Sequence, residues 1–245
     1  GRIMVPPIPE VPGNNGKIRL KECFTIHDPY DVKGFAMIRA RYEAIDKPDD
    51  VFDYLPALRR IRRMTGSDCL DPILGSDLPY DDFELCRQKI TSKMTFALQQ
   101  KNMLVPAHFV SKKEKINCDD ILPHLKKNCI QWDWEIRPVN IAEILENDKA
   151  YPVLKRVIYQ ERSRMTAVGY ATELYDLRGR LYRGQSMIIN SMMVGPTWAN
   201  VGWLVGRADT YMSGHSTFIT HEFTHADRKV KPETFSFRYI LREAK

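Results

Sequence analysis

Long hydrophobic runs are missing from the 245-residue sequence. No stretch approaches the roughly 18 consecutive apolar residues of a membrane-spanning helix, so the sequence predicts no such helix. Hydrophobic residues nevertheless make up 43% of the chain. That share is enough to fill a core, which excludes both an intrinsically disordered protein and a small disulfide scaffold.

A strong excess of charge of one sign is also missing. The 37 Lys and Arg against 31 Asp and Glu leave a net charge of +6, which is modest in a chain with 28% charged residues. The most basic stretch contains Arg59, Arg60, Arg62 and Arg63. No aromatic residue lies among these arginines to stack on a base, so we interpret the stretch as a solvated strand or bulge. We predict no nucleic-acid partner.

The cysteines do not form a metal-binding or redox motif. Their spacing is irregular and includes no Cys-x-x-Cys pair, which argues against a zinc ribbon or a thioredoxin-like site. Two of the five, Cys118 and Cys129, bracket a short segment and could form a disulfide in an oxidising compartment. Five separate thiols is an equally good interpretation.

Nucleotide-binding and hydrolase motifs are absent, with one apparent exception. The run His221-Glu222-Phe223-Thr224-His225 matches H-E-x-x-H, in which one turn of a helix brings two histidines to a zinc ion. Residues 216–220 before it are rich in β-branched side chains, and on a strand the two histidines would lie roughly 13 Å apart. We therefore interpret His221, Glu222 and His225 as a chance match. The sequence predicts no catalytic residue, no metal ion and no cofactor.

Residues 1–30 differ in composition from the rest of the chain. They are rich in Pro, Gly and Asn, which remove backbone donors and favour turns, and we predict an extended N-terminal arm. Residues 31–245 are predicted to form a single domain. The chain opens at Gly1 without a charged segment and apolar core of the signal-peptide type, so we expect a signal or a longer N-terminal segment to be absent from it.

The remaining sequence is dominated by strand patterns. Runs of β-branched, aromatic and alternating residues separated by short turns predict an antiparallel meander with one large, curved, half-wetted sheet. The predicted strands are residues 35–42, 51–55, 58–64, 94–98, 103–105, 132–146, 154–161, 165–175, 181–191, 215–225 and 233–241. A structured loop is predicted for residues 65–83, where Gly and Pro recur among many aspartates, and short helices for residues 83–93 and 117–128.

Several motifs together resemble a known bacterial family. The first half carries Lys47-Pro48-Asp49-Asp50, then residues 54–63, then the block from Asp71-Pro72-Ile73-Leu74-Gly75-Ser76-Asp77 to Tyr80-Asp81-Asp82-Phe83. The second half carries residues 135–139, 151–159 and 175–182 in the same order as that family. On these residues the chain resembles the bacterial domain-of-unknown-function 1329 family, whose members are described as outer-membrane lipoprotein-sorting-like and fall in the LolA/LolB-like superfamily.

The resemblance implies a fold and a function. The fold is an incomplete antiparallel β-barrel, closed on one side by short helices or loops, with an apolar cavity for acyl chains. Family members are exported to the envelope of Gram-negative bacteria and are often encoded beside transporters of the resistance-nodulation-division type. The implied function is a non-enzymatic periplasmic or outer-membrane-associated carrier of lipid or another hydrophobic molecule, working with a transporter.

Two groups of residues are candidates for the binding site of such a carrier. Aromatic and Met side chains suit both a core and an adaptable apolar pocket. The predicted cavity lining is Phe52, Tyr54, Trp132, Trp134, Ile158 and Met187. The loop predicted to pack at the barrel mouth contributes Asp71, Gly75, Ser76, Asp77, Tyr80 and Asp81.

A structural role is the alternative to the carrier. In this second interpretation the protein is a scaffolding subunit of an envelope assembly, which binds protein partners through its sheet edges and its N-terminal arm.

Overall fold

The computed structural model describes residues 18–109, 132–162, 169–194, 197–221 and 231–243. Within these ranges the chain forms two antiparallel sheets and a short C-terminal helix. The expectation of mainly β structure is confirmed. No helix in these ranges has the length and apolar character needed to cross a membrane.

The first sheet has the order β1-β2-β3-β4. Its strands are β1 (Ile18–Thr25), β2 (Ala36–Tyr42), β3 (Asp50–Leu55) and β4 (Arg60–Met64). Strand β1 lies in the segment predicted as an extended arm, and it pairs along its length with β2. Residues 1–17 lie outside the described residues, and the division into arm and domain stays a prediction.

The second sheet is a meander in which every strand pairs with its neighbours in sequence, from β5 to β11. Its strands are β5 (Met94–Phe109), β6 (Trp132–Glu146), β7 (Val153–Glu161), β8 (Gly169–Asp176), β9 (Leu181–Val194), β10 (Thr197–Thr210) and β11 (His215–His221). The tight turn between β8 and β9 contains Gly179 at φ 75°, in the left-handed region that favours glycine. Residues 117–128, predicted as a helix, lie outside the described residues.

The seven-stranded sheet is strongly curled. Residues of β5 come within 8 Å of residues of β8, measured between Cα atoms, and also of β9. In a flat sheet the spacing between strands would place β5 and β8 about 14 Å apart. The two sheets do not close into a barrel, which confirms the predicted incomplete barrel.

One face of the curled sheet is concave. Apolar residues from β5, β6, β7 and β8 pack in a single cluster on this face, which requires the sheet to bend toward them. The cluster contains Val105, Val139, Ile141, Val157 and Tyr170. We call the face that carries these residues the concave face, and the opposite one the outer face.

Residues 65–93 connect the two sheets and fill the space between them. Residues 66–85 form three short 3-10 turns, Gly66–Leu70, Ile73–Gly75 and Tyr80–Leu85, and the predicted helix over 83–93 was wrong because only its first residues belong to a turn. Cys69 and Tyr80 pack against Met37 of the first sheet. Leu70 packs against Leu174 on the outer face of the second sheet.

The C-terminal residues cover the other side of the first sheet. Residues 233–241 were predicted as a strand, but they form a 3-10 turn (Pro232–Phe235) followed by helix α1 (Phe237–Glu243). The hydroxyl of Ser236 accepts a hydrogen bond from the backbone N–H of Tyr239 at 3.2 Å, so a local cap starts the helix and overrides the aromatic, strand-like composition. Ile240 is fully buried against Ala36 of β2.

The described cysteines, Cys23, Cys69 and Cys86, form no disulfide with one another. Burial raises the pKa of Cys69 to about 12. Cys118 and Cys129, the two that could form a disulfide, lie outside the described residues.

Buried charges tie residues 65–93 to the outer face of the second sheet. Asp82 is fully buried and accepts hydrogen bonds from Arg156 at 2.7 Å and from Arg183 at 2.8 Å. Burial by itself would lower the pKa of Arg156, but the Asp82 carboxylate outweighs it and raises that pKa. Arg156 also donates to the backbone oxygen of Leu85 at 3.2 Å.

A second carboxylate in the same turn faces both sheets. Asp81 accepts a hydrogen bond from the Tyr151 hydroxyl at 2.8 Å and forms an ion pair with Arg39 of β2 at 3.8 Å. Burial raises the pKa of the Asp81 carboxyl, and the charge of Arg39 acts against that rise. Asp81 and Asp82 together connect β2 to β7 and β9.

Removing the charge of Asp82 should strongly destabilise the protein. The substitution Asp82→Asn leaves the guanidinium groups of Arg156 and Arg183 buried without a counter-charge, which costs about 3–5 kcal/mol when one partner of a buried pair is removed. Urea unfolding of the full chain measures the loss in the free energy of unfolding. The matched control is Asp71→Asn, because Asp71 lies in the same segment and is exposed. Equal stability of the two variants would contradict the assigned role.

The packing of α1 gives a second stability prediction. Ile240→Ala removes a fully buried side chain between the helix and β2, and we expect a loss of about 2–5 kcal/mol in the free energy of unfolding. Leu241→Ala is the control, because the neighbouring Leu241 is exposed. Thermal or urea unfolding compares the two, and an unchanged stability of Ile240→Ala would show that α1 is not docked as described.

Candidate functional site

The concave face of the seven-stranded sheet is the candidate binding surface. Directly paired residues on neighbouring strands point to the same side of a sheet, so the strand register defines this face. One row across the sheet is Gln99, Ile141, Tyr159, Ala171, Ser186, Arg207 and Phe218, and the next is Ala97, Glu143, Val157, Glu173, Gly184, Asp209 and Ser216. The face therefore combines apolar and polar side chains in a regular arrangement.

The apolar part of the concave face is centred on β5, β6 and β7. Val139 and Ile141 of β6 are buried between Val105 on one side and Val157 on the other. Met103, Tyr159 and Tyr175 are partly buried at the border of this cluster. We call the five buried residues of the cluster, Val105, Val139, Ile141, Val157 and Tyr170, the apolar floor.

The polar part is centred on Glu173 of β8. Its carboxylate accepts a hydrogen bond from the Tyr175 hydroxyl at 2.8 Å, and Tyr159 also donates to it. The hydrogen bond to Glu173 and burial raise the pKa of Tyr175 to about 12; burial, followed by the charge of Glu173, raises the pKa of Tyr159 to about 12. Both phenols are thus protonated donors at neutral pH. We call Tyr159, Glu173 and Tyr175 the polar rim.

A third tyrosine reaches over the polar rim from the β10–β11 turn. A Cβ atom at Gly184 would lie 2.5 Å from the hydroxyl oxygen of Tyr211, so glycine at this position leaves space for the phenol. Burial raises the pKa of Tyr211, and the charges of Asp209 and Glu173 add to the effect. Tyr211 remains more than half exposed.

The cations of the concave face are mostly paired with carboxylates. Lys155 contacts Glu143 at 2.8 Å, Arg207 contacts Asp209 at 2.6 Å, and Lys155 also lies over the ring of Tyr175 with its Nζ 4.6 Å from the centroid. Nearer the buried end of the floor, Arg137 forms ion pairs with Glu135 and Glu161. Lys101, on the edge strand β5, is exposed. Within the described ranges, no group of three potential ligands is placed to hold a metal ion.

The structure does not bring the six predicted cavity residues together. Trp134, Ile158 and Met187 share the outer face; Ile158 and Met187 are buried there, whereas Trp134 is 55% exposed. Phe52 and Tyr54 lie on the first sheet, on the side covered by α1, where the ring of Phe52 meets that of Phe237 at 5.0 Å. The backbone of Trp132 opens β6, and its side chain is outside the described residues.

The predicted mouth loop is a buried junction along much of its length. Tyr80 packs in the core of the first sheet, and Asp81 is the buried carboxylate between the two sheets. Asp77 accepts hydrogen bonds from Thr217 at 2.8 Å and contacts His215 at 2.5 Å, which fastens the loop to β11. Asp71 and Gly75 are exposed, and the Ser76 hydroxyl donates to the backbone of Leu78 at 3.3 Å.

The H-E-x-x-H match lies only partly within the described residues. His221 ends β11, as the strand-like context predicted, while Glu222 and His225 lie outside the described residues.

Sequence reasoning missed the apolar floor and the polar rim. The alternation was visible, since Val139 and Ile141 on β6 and Val157 and Tyr159 on β7 repeat with a period of two. Alternation separates two faces of a strand but does not say toward which face the sheet curls. Three of the predicted cavity residues, Trp134, Ile158 and Met187, therefore lie on the outer face instead.

Comparison with known proteins agrees with this architecture. The family model described as "Protein of unknown function (DUF1329)" matches residues 4–225. The chain is similar to the structure of a putative outer membrane lipoprotein-sorting protein domain from Vibrio parahaemolyticus, with 19% identity and a TM-score of 0.61 over 92% of this chain and 79% of that one. No curated protein matches the chain.

Two further solved structures are similar. A DUF1329 family protein from Desulfovibrio piger has 18% identity and a TM-score of 0.62 over 93% of this chain and 79% of that one. A LolA superfamily protein from Nitrosomonas europaea has 14% identity and a TM-score of 0.50 over 89% of this chain and 77% of that one. The family model covers most of the sequence and the fold is shared, and the chain belongs to the DUF1329 family.

Proposed function

We propose that the protein is a non-enzymatic carrier that binds a lipid or another hydrophobic molecule on the concave face of the seven-stranded sheet. The observation that carries the proposal is the apolar floor, where side chains from four strands form one cluster on the inside of an unclosed, curled sheet. Partly buried Met103 and Tyr159 border this cluster and offer apolar surface to a ligand. A curled sheet with an open side leaves space for an acyl chain to approach.

The energetics of such binding need no reacting group. Transfer of an acyl chain from water to an apolar surface contributes about 0.8 kcal/mol for each buried CH₂ group. A chain of a dozen carbons laid along the floor would gain enough to offset the cost of immobilising it. Release then requires only that a partner offer a more favourable surface.

The location and partners follow from the same proposal. We propose that the carrier works in the periplasm or at the outer membrane of a Gram-negative cell and exchanges its cargo with an envelope transporter. The likeness to a putative outer membrane lipoprotein-sorting protein domain supports this setting.

A scaffolding role is the second candidate, because one part of the outer face is apolar and exposed. On the edge strand β5 and its neighbour β6 the exposed side chains are Phe96, Leu98, Leu104, Trp134 and Ile136. Contiguous apolar surface of this kind marks interaction sites in many proteins. Native mass spectrometry of gently purified protein, followed by lipid extraction, separates the two roles: a stoichiometric amphiphile supports the carrier, and an empty protein bound to other subunits supports the scaffold.

Two neighbouring substitutions on β5 test which face binds the cargo. Met103→Glu places a charge at the border of the apolar floor, and we expect at least a tenfold loss of affinity for the neutral dodecyl maltoside because the charge must be desolvated beside the chain. Leu104→Glu places the same charge one residue further along, on the exposed outer face, and should bind like the unmodified protein. Titration calorimetry measures both affinities, and circular dichroism checks that both variants are folded. A loss of binding in Leu104→Glu with retention in Met103→Glu would contradict the proposal.

A further inference from the structure

The concave face places a carboxylate, that of Glu173, next to the apolar floor. Resting on the proposed carrier function, we infer that the cargo is an amphiphile with a positively charged amine as its polar group, and that the carboxylate of Glu173 receives this amine while the alkyl chain lies on the apolar floor. The juxtaposition that carries the inference is an anion bordered by phenols at the edge of an apolar surface.

Within the part of the chain that the structure describes, the carboxylate of Glu173 interacts with hydroxyl groups and forms no ion pair. Among the described residues its hydrogen-bond donors are the phenols of Tyr159 and Tyr175. Four other described carboxylates of the face, in contrast, are engaged with basic side chains, namely Glu135 and Glu161 with Arg137, Glu143 with Lys155, and Asp209 with Arg207. No described cation forms an ion pair with Glu173, and we infer that a ligand balances its charge.

The carboxylate has room to accept more hydrogen bonds. An ionised carboxylate offers about four acceptor positions, and the two phenols occupy two of them. An ammonium group has three donors and no acceptor, so it can take the remaining positions without competing with the phenols. The phenols hold the carboxylate in place, because a hydrogen-bonded side chain has few alternative orientations.

The aromatic rings near Glu173 are also compatible with a cation. Lys155 already places its ammonium group 4.6 Å from the centroid of the Tyr175 ring, which shows that this surface accommodates positive charge. The hydroxyl of Tyr211 reaches over Gly184, the cross-strand neighbour of Glu173. An amine bound at Glu173 would therefore be surrounded by phenols on more than one side.

A phosphate headgroup fits poorly at the same place. It would bring negative charge beside Glu173, and the guanidinium and ammonium groups of Arg207 and Lys155 would have to leave Asp209 and Glu143 to compensate. The polar rim thus discriminates by charge, whereas the apolar floor accepts any alkyl chain of suitable length.

Three amphiphiles with the same chain test the inference. Dodecylamine, dodecyl maltoside and dodecyl phosphate share a dodecyl chain and differ only in a cationic, neutral or anionic polar group. Their affinities for the delipidated full chain are measured by titration calorimetry at pH 7, below the critical micelle concentrations. We expect dodecylamine to bind at least tenfold more tightly than dodecyl phosphate, with the maltoside between them.

Two variants connect the preference to Glu173. Glu173→Gln keeps the size and the hydrogen-bonding capacity but removes the charge, and it should reduce the ratio of amine to phosphate affinity about tenfold while the maltoside affinity stays constant. Glu146→Gln, which changes a carboxylate on the outer face of β6, should leave the ratio unchanged. Equal binding of all three amphiphiles, tighter phosphate binding, or an unchanged ratio in Glu173→Gln would overturn the inference and leave the carrier intact. If none of the three amphiphiles binds, the carrier proposal itself falls.

Discussion

The position of Asp82 between two arginines is the constraint on which the arrangement of the molecule depends. Its carboxylate lies within hydrogen-bond distance of Arg156 on β7 and Arg183 on β9, and all three groups are buried. Buried ion pairs contribute little to net stability, because their attraction is offset by desolvation, but they tolerate few alternative geometries. The Nε atoms of both arginines have no partner among the described residues, which also limits the stabilisation. The cluster therefore specifies where residues 65–93 dock, and hydrophobic packing on either side supplies the stability.

Because of this docking, the two faces of the seven-stranded sheet have different surroundings. The outer face is covered over β7 to β9 by the connecting segment and, through it, by the first sheet and α1. The concave face keeps the apolar floor and the polar rim together. Among the described residues the connecting segment packs on the outer face, so the concave face is the one on which we propose that the ligand binds.

Much of the fold could be predicted from the sequence, because successive side chains of a strand point to opposite faces and give a visible period of two. The four strands from β6 to β9 follow runs that alternate or are rich in β-branched residues, and the hairpin of β2 and β3 is separated by charged turn residues. The resemblance added the incomplete barrel, which local patterns cannot specify. The C-terminal helix could not be predicted from composition, because Ser236 acts through one hydrogen bond to Tyr239. The roles of Asp81 and Asp82 were hidden because their arginine partners lie up to 101 residues away in sequence. The candidate site could not be predicted, because it depends on the face toward which the sheet curls, and the curl depends on contacts between strands that are not neighbours, such as β5 and β8.

The meander order of the second sheet has a consequence for how the chain folds. Every strand pairs with the next one in sequence, so most loops that must close are short and the entropy of closing each one is small. The contact from Asp82 to Arg183 spans 101 residues and can form only after β7, β8 and β9 are in register. The hairpins should therefore form early and the junction between the two sheets late. A chain stopped before that last step would expose the guanidinium groups of Arg156 and Arg183 to solvent. This arrested form would have its curled sheet, but residues 65–93 would not be docked on the outer face.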